Sequence, residues 1–220
     1  MLEQAIAIDR HYGPALSWAA ICHLYLVRDG WAEAPEMSRR RGIDLARQAL
    51  DVAENDPSIL ANVAVVLAMF GADIGAMIGL VERALTFNPS FARGWYLSSL
   101  LRLYAGQPDL AIEHVESSLR LSPRLVGQPL SLMGLAYFFK RRFDEAAEKL
   151  VLAIQDHPGF LRHTAHSPRA TRIWIGSMKR AMSSPACAPL PRWFCPATSL
   201  SANPKTASSS CRACAWRWAG

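Results

Sequence analysis

Cysteine is scarce over residues 1–159 of this 220-residue chain. This part contains Cys22 alone, whereas Cys187, Cys195, Cys211 and Cys214 all follow later. A disulfide needs two cysteines, so a disulfide framework is excluded from this part of the chain. The N-terminus also lacks the basic start and apolar run of a signal peptide. These features predict a cytoplasmic protein.

Acidic residues are missing from the last part of the chain. Residues 160–220 carry nine Lys and Arg and no Asp or Glu, whereas residues 1–159 carry 15 basic against 18 acidic residues, a net charge of −3. The overall charge of +6 therefore describes neither part. The tail could attract nucleic acid by charge and stacking, but without a folded platform we expect no specific nucleic-acid partner.

Catalytic motifs are also missing. The sequence has no HExxH, no GxSxG and no glycine loop for phosphate, so we expect no catalytic residue and no cofactor. His114 stands beside Glu113 and Glu116, which is typical of a solvated helix face.

The four cysteines of the tail are the candidate zinc ligands. Two residues separate Cys211 from Cys214, but seven separate Cys187 from Cys195, which is too many for a zinc-binding pair. We therefore expect incidental cysteines and no metal site.

The longest apolar stretch, residues 59–81, is interrupted by Asn62 and Asp73. Its length would suit a membrane-spanning helix, but an aspartate within the bilayer is costly. The stretch predicts a buried helical hairpin and no membrane span.

A repeat organises the chain instead. Residues 92–123 read as two amphipathic helices around a turn at 105–109, and Pro89, Pro123 and Pro158 recur at intervals of 34 and 35 residues. Such a period is typical of stacked helical repeats.

Several residues of these repeats match a known pattern. Trp95, Gly106, Ala111 and Pro123 fall at its Trp, turn-glycine, Ala and Pro positions, and the next repeat does likewise with Gly134, Tyr137, Phe143, Ala146 and Ala153. The chain thus resembles tetratricopeptide repeat (TPR) proteins. The resemblance implies an all-α, right-handed solenoid of antiparallel helix pairs over residues 1–158, with about four repeats. Gly134 and Ala146 are expected to face each other where two helices cross.

The repeats are not all regular. Residues 2–8 resemble the end of a second helix without a first, which suggests that more chain or another domain precedes them. After a helix at 14–27, residues 28–41 predict a long turn whose basic run, Arg39 to Arg41, forms a contact loop before a helix at 43–53. Helices at 58–70 and 74–87 follow.

Residues 159–220 lack the repeat and predict an irregular tail rich in Ser, Pro, Cys and Trp. The solenoid nevertheless needs a further neighbour, because Ala146, Leu150, Val151 and Ile154 are expected to face an empty position. One hypothesis is that the tail is a frameshifted continuation of another repeat.

The TPR resemblance also implies a binding groove. In this family the first helix of each repeat lines a concave surface that takes a protein or peptide ligand. The matching positions here are His23, Arg93, Tyr96, Leu100, Tyr104, Gln128, Ser131, Leu135 and Phe138. The Lys and Asn clamp of chaperone-binding members is not evident.

A narrower resemblance concerns residues 83–89, 111–114 and 119–123. They are similar to the C-terminal TPR region of bacterial signalling proteins that carry a class III adenylate or guanylate cyclase domain or a winged-helix DNA-binding domain. The sequence thus favours an interaction or regulatory scaffold. The alternatives are part of a cyclase whose catalytic domain lies upstream and a decayed gene fragment without function.

Overall fold

The computed structural model describes residues 1–53, 55–124 and 127–156. These residues form helices joined by short turns. In chain order the helices are α1 (Leu2–Ile8), α2 (Gly13–Arg28), α3 (Pro35–Val52), α4 (Pro57–Met69), α5 (Ile74–Phe87), α6 (Ala92–Tyr104), α7 (Pro108–Leu121), α8 (Gly127–Phe139) and α9 (Phe143–Asp156).

The helices form a right-handed solenoid of antiparallel pairs, which confirms the expected fold class. The pairs are α2 with α3, α4 with α5, α6 with α7 and α8 with α9, and α1 packs against α2. The first helices of successive pairs also pack on one another, whereas the second helices do so much less. The first helices therefore lie on the inside of the curve, and we call the surface formed by α2, α4, α6 and α8 the concave face.

Short polar residues and prolines fix where helices begin. The Asp56 side chain accepts hydrogen bonds from the backbone N–H groups of Ser58 (2.8 Å) and Ile59 (3.0 Å) at the start of α4. Asp73 does the same for Ala76 (2.7 Å) in α5. Such caps satisfy N–H groups that have no partner within the helix.

The turns inside the pairs repeat one left-handed backbone position. Gly71 has φ 101°, Gly106 has φ 76° and Arg141 has φ 60°, each 35 residues after the last. Glycine adopts this conformation readily, whereas an arginine there costs about 1 kcal/mol. The last pair thus keeps the turn geometry of the others without their glycine.

Two clusters of apolar side chains form the core. The larger one joins α2 to α6, and the smaller one joins residues of α6, α7 and α8. In α4 the eight consecutive residues 59–66 are all buried. A Cβ on Gly134 would lie 2.6 Å from Leu150 Cγ and 3.2 Å from the Ala146 carbonyl oxygen, which confirms the expected close crossing of α8 and α9.

The prediction of a long turn over residues 28–41 was wrong. Helix α3 begins at Pro35, so the basic run lies within the helix. Arg39 Nη2 donates to the Phe70 carbonyl oxygen (2.5 Å), and the guanidinium carbon lies 5.9 Å from the centre of the Phe70 ring. Most of the extra length of this repeat is therefore extra helix.

The prediction for the outer side of α9 was partly wrong. Ala146 and Leu150 are buried, whereas Val151 is 51% exposed and Ile154 is half-buried. Ala146 and Leu150 face the other way because they pack against Gly134 of the same pair. The hypotheses about residues 159–220, with their four cysteines and the proposed frameshift, lie outside the described residues.

The apolar stretch 59–81 forms most of α4 and the first part of α5, as the predicted hairpin requires. Of the helices that the structure describes, none combines the length and the apolar character needed to cross a bilayer.

Candidate functional site

Arg93, the second residue of α6, reaches across the concave face to two other helices. Its Nη1 donates a hydrogen bond to Asn62 Oδ1 in α4. Its guanidinium carbon lies 4.6 Å from the centre of the Trp18 ring in α2, and the Tyr25 side chain of the same helix lies within its electrostatic range. One side chain therefore connects three successive repeats.

Small side chains on α4 make this reach possible. Ala61 and Asn62 are fully buried, and Asn62 Nδ2 also donates to Ser17 Oγ in α2 at 3.4 Å. Because α4 presents no long side chain here, residues of α2 and α6 meet above it. Side chains of α2 and α6 therefore cover α4 at this position of the concave face.

A second arginine lies beside the first. The Arg28 guanidinium stacks 4.5 Å from the centre of the Tyr25 ring, and its Nε donates to Asp29 Oδ1 at 2.7 Å. Tyr96 and Tyr104 of α6 lie within its electrostatic range. We call this group of side chains the concave cluster: Trp18, Tyr25, Arg28, Arg93, Tyr96 and Tyr104.

The electrostatics of the concave cluster follow from burial. Burial lowers the pKa of Arg93, and burial raises the pKa of Tyr96 to about 12. Burial also raises the pKa of Tyr104. Burial alone would lower the pKa of Arg28, but the hydrogen bond and charge of Asp29 raise it overall. At neutral pH the cluster therefore offers cations, hydroxyl groups and aromatic faces.

The part of the cluster nearest to solvent is aromatic. Trp18 is 41% exposed and Tyr25 is 38% exposed, although both lie on the concave face. Exposed aromatic rings beside arginines are the residue types that most often anchor protein interfaces.

Of the groove residues expected from the sequence, three join this cluster. Arg93, Tyr96 and Tyr104 follow one another along α6, and the fourth groove residue expected on that helix, Leu100, packs between the two core clusters.

The structure places His23 elsewhere. A Cβ on Gly42 of α3 would lie 3.2 Å from the His23 Cβ, so this histidine faces the partner helix of its own pair. Its buried Nδ1 has no hydrogen-bond partner, and burial, with the charge of Arg41, lowers its pKa. The side chains that α2 contributes to the cluster are Trp18, Tyr25 and Arg28.

The four expected residues of α8 lie further along the concave face. Gln128 is exposed, Ser131 is buried and donates to the Gln128 carbonyl oxygen at 2.7 Å, and Leu135 packs against the smaller core cluster. The Phe138 ring lies 5.7 Å from that of Phe143 at the start of α9. The Phe138 side chain therefore packs between α8 and α9.

The register of α8 identifies a different aromatic residue as the match to Tyr104. Helices α6 and α8 both have 13 residues and begin 35 residues apart. That offset places Phe139 where α6 has Tyr104, and Phe139 is 37% exposed. Phe139 therefore continues the aromatic surface along α8.

Trp18, Tyr25, Arg28, Asn62 and Phe139 are thus functional candidates that the sequence did not reveal. Trp18 and Tyr25 lie seven residues apart in α2, a spacing that is equally typical of core packing in a helix. A signal for Asn62 was present, since it interrupts an otherwise apolar run.

A depression of about 320 Å³ lies between α5, α6 and α7, on the side of α6 opposite Arg93. Arg102 lines it, and this arginine is already paired with Glu82 and donates to Gln107 Oε1 at 3.0 Å. The charge of Arg102 is therefore paired within the protein, although its buried Nε has no hydrogen-bond partner among the described residues.

His114 lines the same depression, and the expectation that it is solvated was wrong. Its ring packs edge-on against Trp95 with 4.8 Å between ring centres, and its Nδ1 lies 3.0 Å from Ser98 Oγ. Burial and the charge of Arg102 lower its pKa to about 4. His114 is therefore neutral at physiological pH, held by packing against α6.

Metal ligands do not gather in the parts of the chain described above. No group of three or more His, Cys, Asp or Glu side chains there is arranged to hold an ion.

The architecture is shared with solved TPR structures. A thermophilic TPR protein of Thermus thermophilus, TTC0263, superimposes with a TM-score of 0.60 at 18% identity, over 81% of this chain and 87% of that one. PilF of Pseudomonas aeruginosa gives a TM-score of 0.53 at 19% identity, over 83% and 77%.

YrrB, described as a TPR protein with an unusual peptide-binding site, gives a TM-score of 0.50 at 16% identity, over 74% of this chain and 78% of that one. No family model matches the sequence, and no curated protein sequence does so either. At these identities the likeness concerns the fold, and the chain has the fold of a TPR-like solenoid.

Proposed function

We propose that this chain is a protein-interaction scaffold whose concave face binds a segment of a partner protein. The observation that carries the proposal is the concave cluster, in which exposed Trp18 and Tyr25 rings lie beside Arg93 and Arg28. Aromatic rings offer a large contact area at a low cost in conformational entropy, and arginines add directed hydrogen bonds.

The shape of the surface supports a peptide or a single helix as the ligand. Aromatic side chains continue along the inner helices from Trp18 through Tyr104 to Phe139. YrrB, which shares the fold, is described as having a peptide-binding site. A concave surface of this kind accommodates one chain segment more readily than a flat protein face.

The test is selection from a random dodecapeptide phage library on the immobilised full chain, followed by fluorescence anisotropy with the selected peptides. We expect Trp18→Ala and Tyr104→Ala each to raise Kd by about 10-fold or more, as truncated interface anchors do. The control is Phe87→Ala, an aromatic residue 51% exposed on α5, a second helix. Peptides that bind both concave variants as tightly as the wild type would refute the proposal.

A finer proposal is that the scaffold is the regulatory region of a bacterial signalling protein with a cyclase or winged-helix domain. It rests on the sequence phrases at 83–89, 111–114 and 119–123. In the structure their apolar members, such as Leu85 and Ala111, are buried packing residues, so these phrases support the solenoid more directly than a parent enzyme. Cyclic-nucleotide formation by the purified chain would support the enzyme alternative.

The remaining alternative is a decayed fragment without function. The continuous core from α2 to α6 favours a stable domain. Thermal unfolding of the full chain followed by circular dichroism tests this directly. A cooperative transition is expected, and a gradual loss of ellipticity would support decay. Cytoplasmic location is likewise a proposal, based on the scarcity of cysteine before residue 160.

A further inference from the structure

Arg93 lacks a charged partner among the described residues. Its neighbours are the Asn62 amide and the Trp18 ring, neither of which carries a charge, and the Tyr25 side chain. Its side chain is half-buried, so its charge has lost part of its hydration, and this burial lowers its pKa. A desolvated cation without a counter-ion is unfavourable unless something else supplies the negative charge.

Two other arginines, by contrast, have carboxylate partners. Arg28 is paired with Asp29, and Arg102 on the opposite side of α6 is paired with Glu82. The concave cluster therefore carries one positive charge that no described carboxylate neutralises. That charge lies where a ligand would pass.

The geometry of Arg93 suits an incoming carboxylate. Guanidinium has five N–H donors, and the bond to Asn62 engages only one of them. Stacking on Trp18 and the bond to Asn62 hold the planar group in place, so little freedom is lost when a ligand binds. A carboxylate can accept two parallel hydrogen bonds from such a fixed fork.

We propose that Arg93 binds an aspartate or glutamate side chain within the partner segment, and that the aromatic rings beside it bind the apolar residues that flank this acid. The inference rests on the proposed function. The acid is internal to the segment because the aromatic surface continues on both sides of Arg93, towards Tyr25 in α2 and towards Phe139 in α8. A terminal carboxylate would leave one of these sides empty.

The test uses peptides selected from the dodecapeptide library on the full chain. We expect them to share one acidic residue between apolar or aromatic ones. Replacing that acid by its amide in a synthetic peptide should raise Kd by about 10- to 100-fold on the wild type, as expected for losing a charged hydrogen-bonded pair. On Arg93→Gln the same replacement should change Kd by less than about 3-fold.

Two further variants separate recognition from a structural role. Arg93→Lys keeps the charge but loses the fork, so it should keep the preference for the acid with weaker binding. Arg120→Gln, an exposed arginine of α7, should behave as the wild type. If Arg93 were only structural, Arg93→Gln would weaken the acid and amide peptides equally, which would overturn the inference.

The remaining outcomes are also informative. Selected peptides that need Trp18 and Tyr104 but show no acidic preference would overturn the role of Arg93 and leave the proposed function standing. If amidation of the peptide C-terminus abolishes binding while replacement of internal acids does not, the recognised carboxylate is terminal. That result would overturn the internal position of the acid. An oligothymidylate that binds the wild type more tightly than these peptides and fails on Arg93→Gln would overturn the protein ligand itself.

Discussion

Arg93 in α6 and Trp18 in α2 belong to repeats that are not neighbours, yet the guanidinium carbon of the first lies 4.6 Å from the ring centre of the second. Helix α4 lies between them in the solenoid and supplies Asn62, which Arg93 also contacts. The relationship depends on the curvature of three consecutive pairs and on small side chains in the middle one.

Asn62 is therefore expected to be a stability determinant of the concave face. The Asn62→Ala variant leaves Arg93 and Ser17 without their shared buried partner, at a cost of about 2 kcal/mol in the free energy of unfolding. Urea denaturation measures this. The exposed Gln128→Ala of α8 is the control and should change stability by less than about 0.5 kcal/mol. Equal effects of the two variants would contradict the bridging role of Asn62.

Gly134 and Gly79 make a matched pair of helix glycines. An added Cβ at Gly134 would meet Leu150 Cγ at 2.6 Å, whereas at Gly79 it would meet nothing within 4 Å. We expect Gly134→Ala to destabilise by about 1–3 kcal/mol through overpacking. Gly79→Ala should stabilise by about 0.5–1 kcal/mol, because alanine is the better helix former. Thermal unfolding of the two variants measures both changes. A Gly134→Ala variant that is more stable than the wild type would contradict the predicted overpacking between α8 and α9.

Arg39 is expected to hold the first turns of α3. Arg39→Ala removes the hydrogen bond to the Phe70 carbonyl and the contact with the Phe70 ring, which should cost about 1 kcal/mol. Hydrogen exchange should rise first over residues 35–41. The neighbouring Arg40 is exposed, so Arg40→Ala should leave exchange unchanged. Unaltered exchange in Arg39→Ala would mean that the extra turns are stable alone.

His114 should make the protein acid-sensitive. Burial and Arg102 lower its pKa from 6.5 to about 4 in the folded state, so between these pH values the unfolded state binds more protons. Stability therefore falls as the pH falls from about 6.5 to 4. His114→Gln cannot be protonated, and its melting temperature should fall less over this range. The exposed His11→Gln is the control, and parallel curves for wild type and His114→Gln would contradict the prediction.

Much of the helix order could be predicted because turns and stops recur in the sequence. Gly71 and Gly106 occupy the left-handed turn positions, and Pro57 and Pro108 stand in the first turns of their helices. These local signals depend on the backbone alone. They therefore identify helix pairs without knowledge of how the pairs curve.

The contacts that the sequence did not predict depend on the register of α2 and on the curvature of the solenoid. Helix α2 has 16 residues against 13 in α4 and α6, so its register cannot be copied from the other first helices. His23, expected in the groove, faces α3 in the structure. In the structure Trp95 packs against His114 while Trp18 meets Arg93. Contacts between α2 and α6 depend on how successive repeats curve, and the sequence of a single repeat does not determine that curvature.

The contact between Trp18 and Arg93 over α4 depends on how many hairpins separate their helices. Trp18 and Arg93 meet only because one hairpin separates their helices. Duplication of that middle hairpin would preserve every helix and every local packing rule, yet it would move the two halves of the cluster apart. The contact between Trp18 and Arg93 therefore requires one hairpin between α2 and α6, and a chain with an added hairpin there is expected to keep its fold and lose this contact.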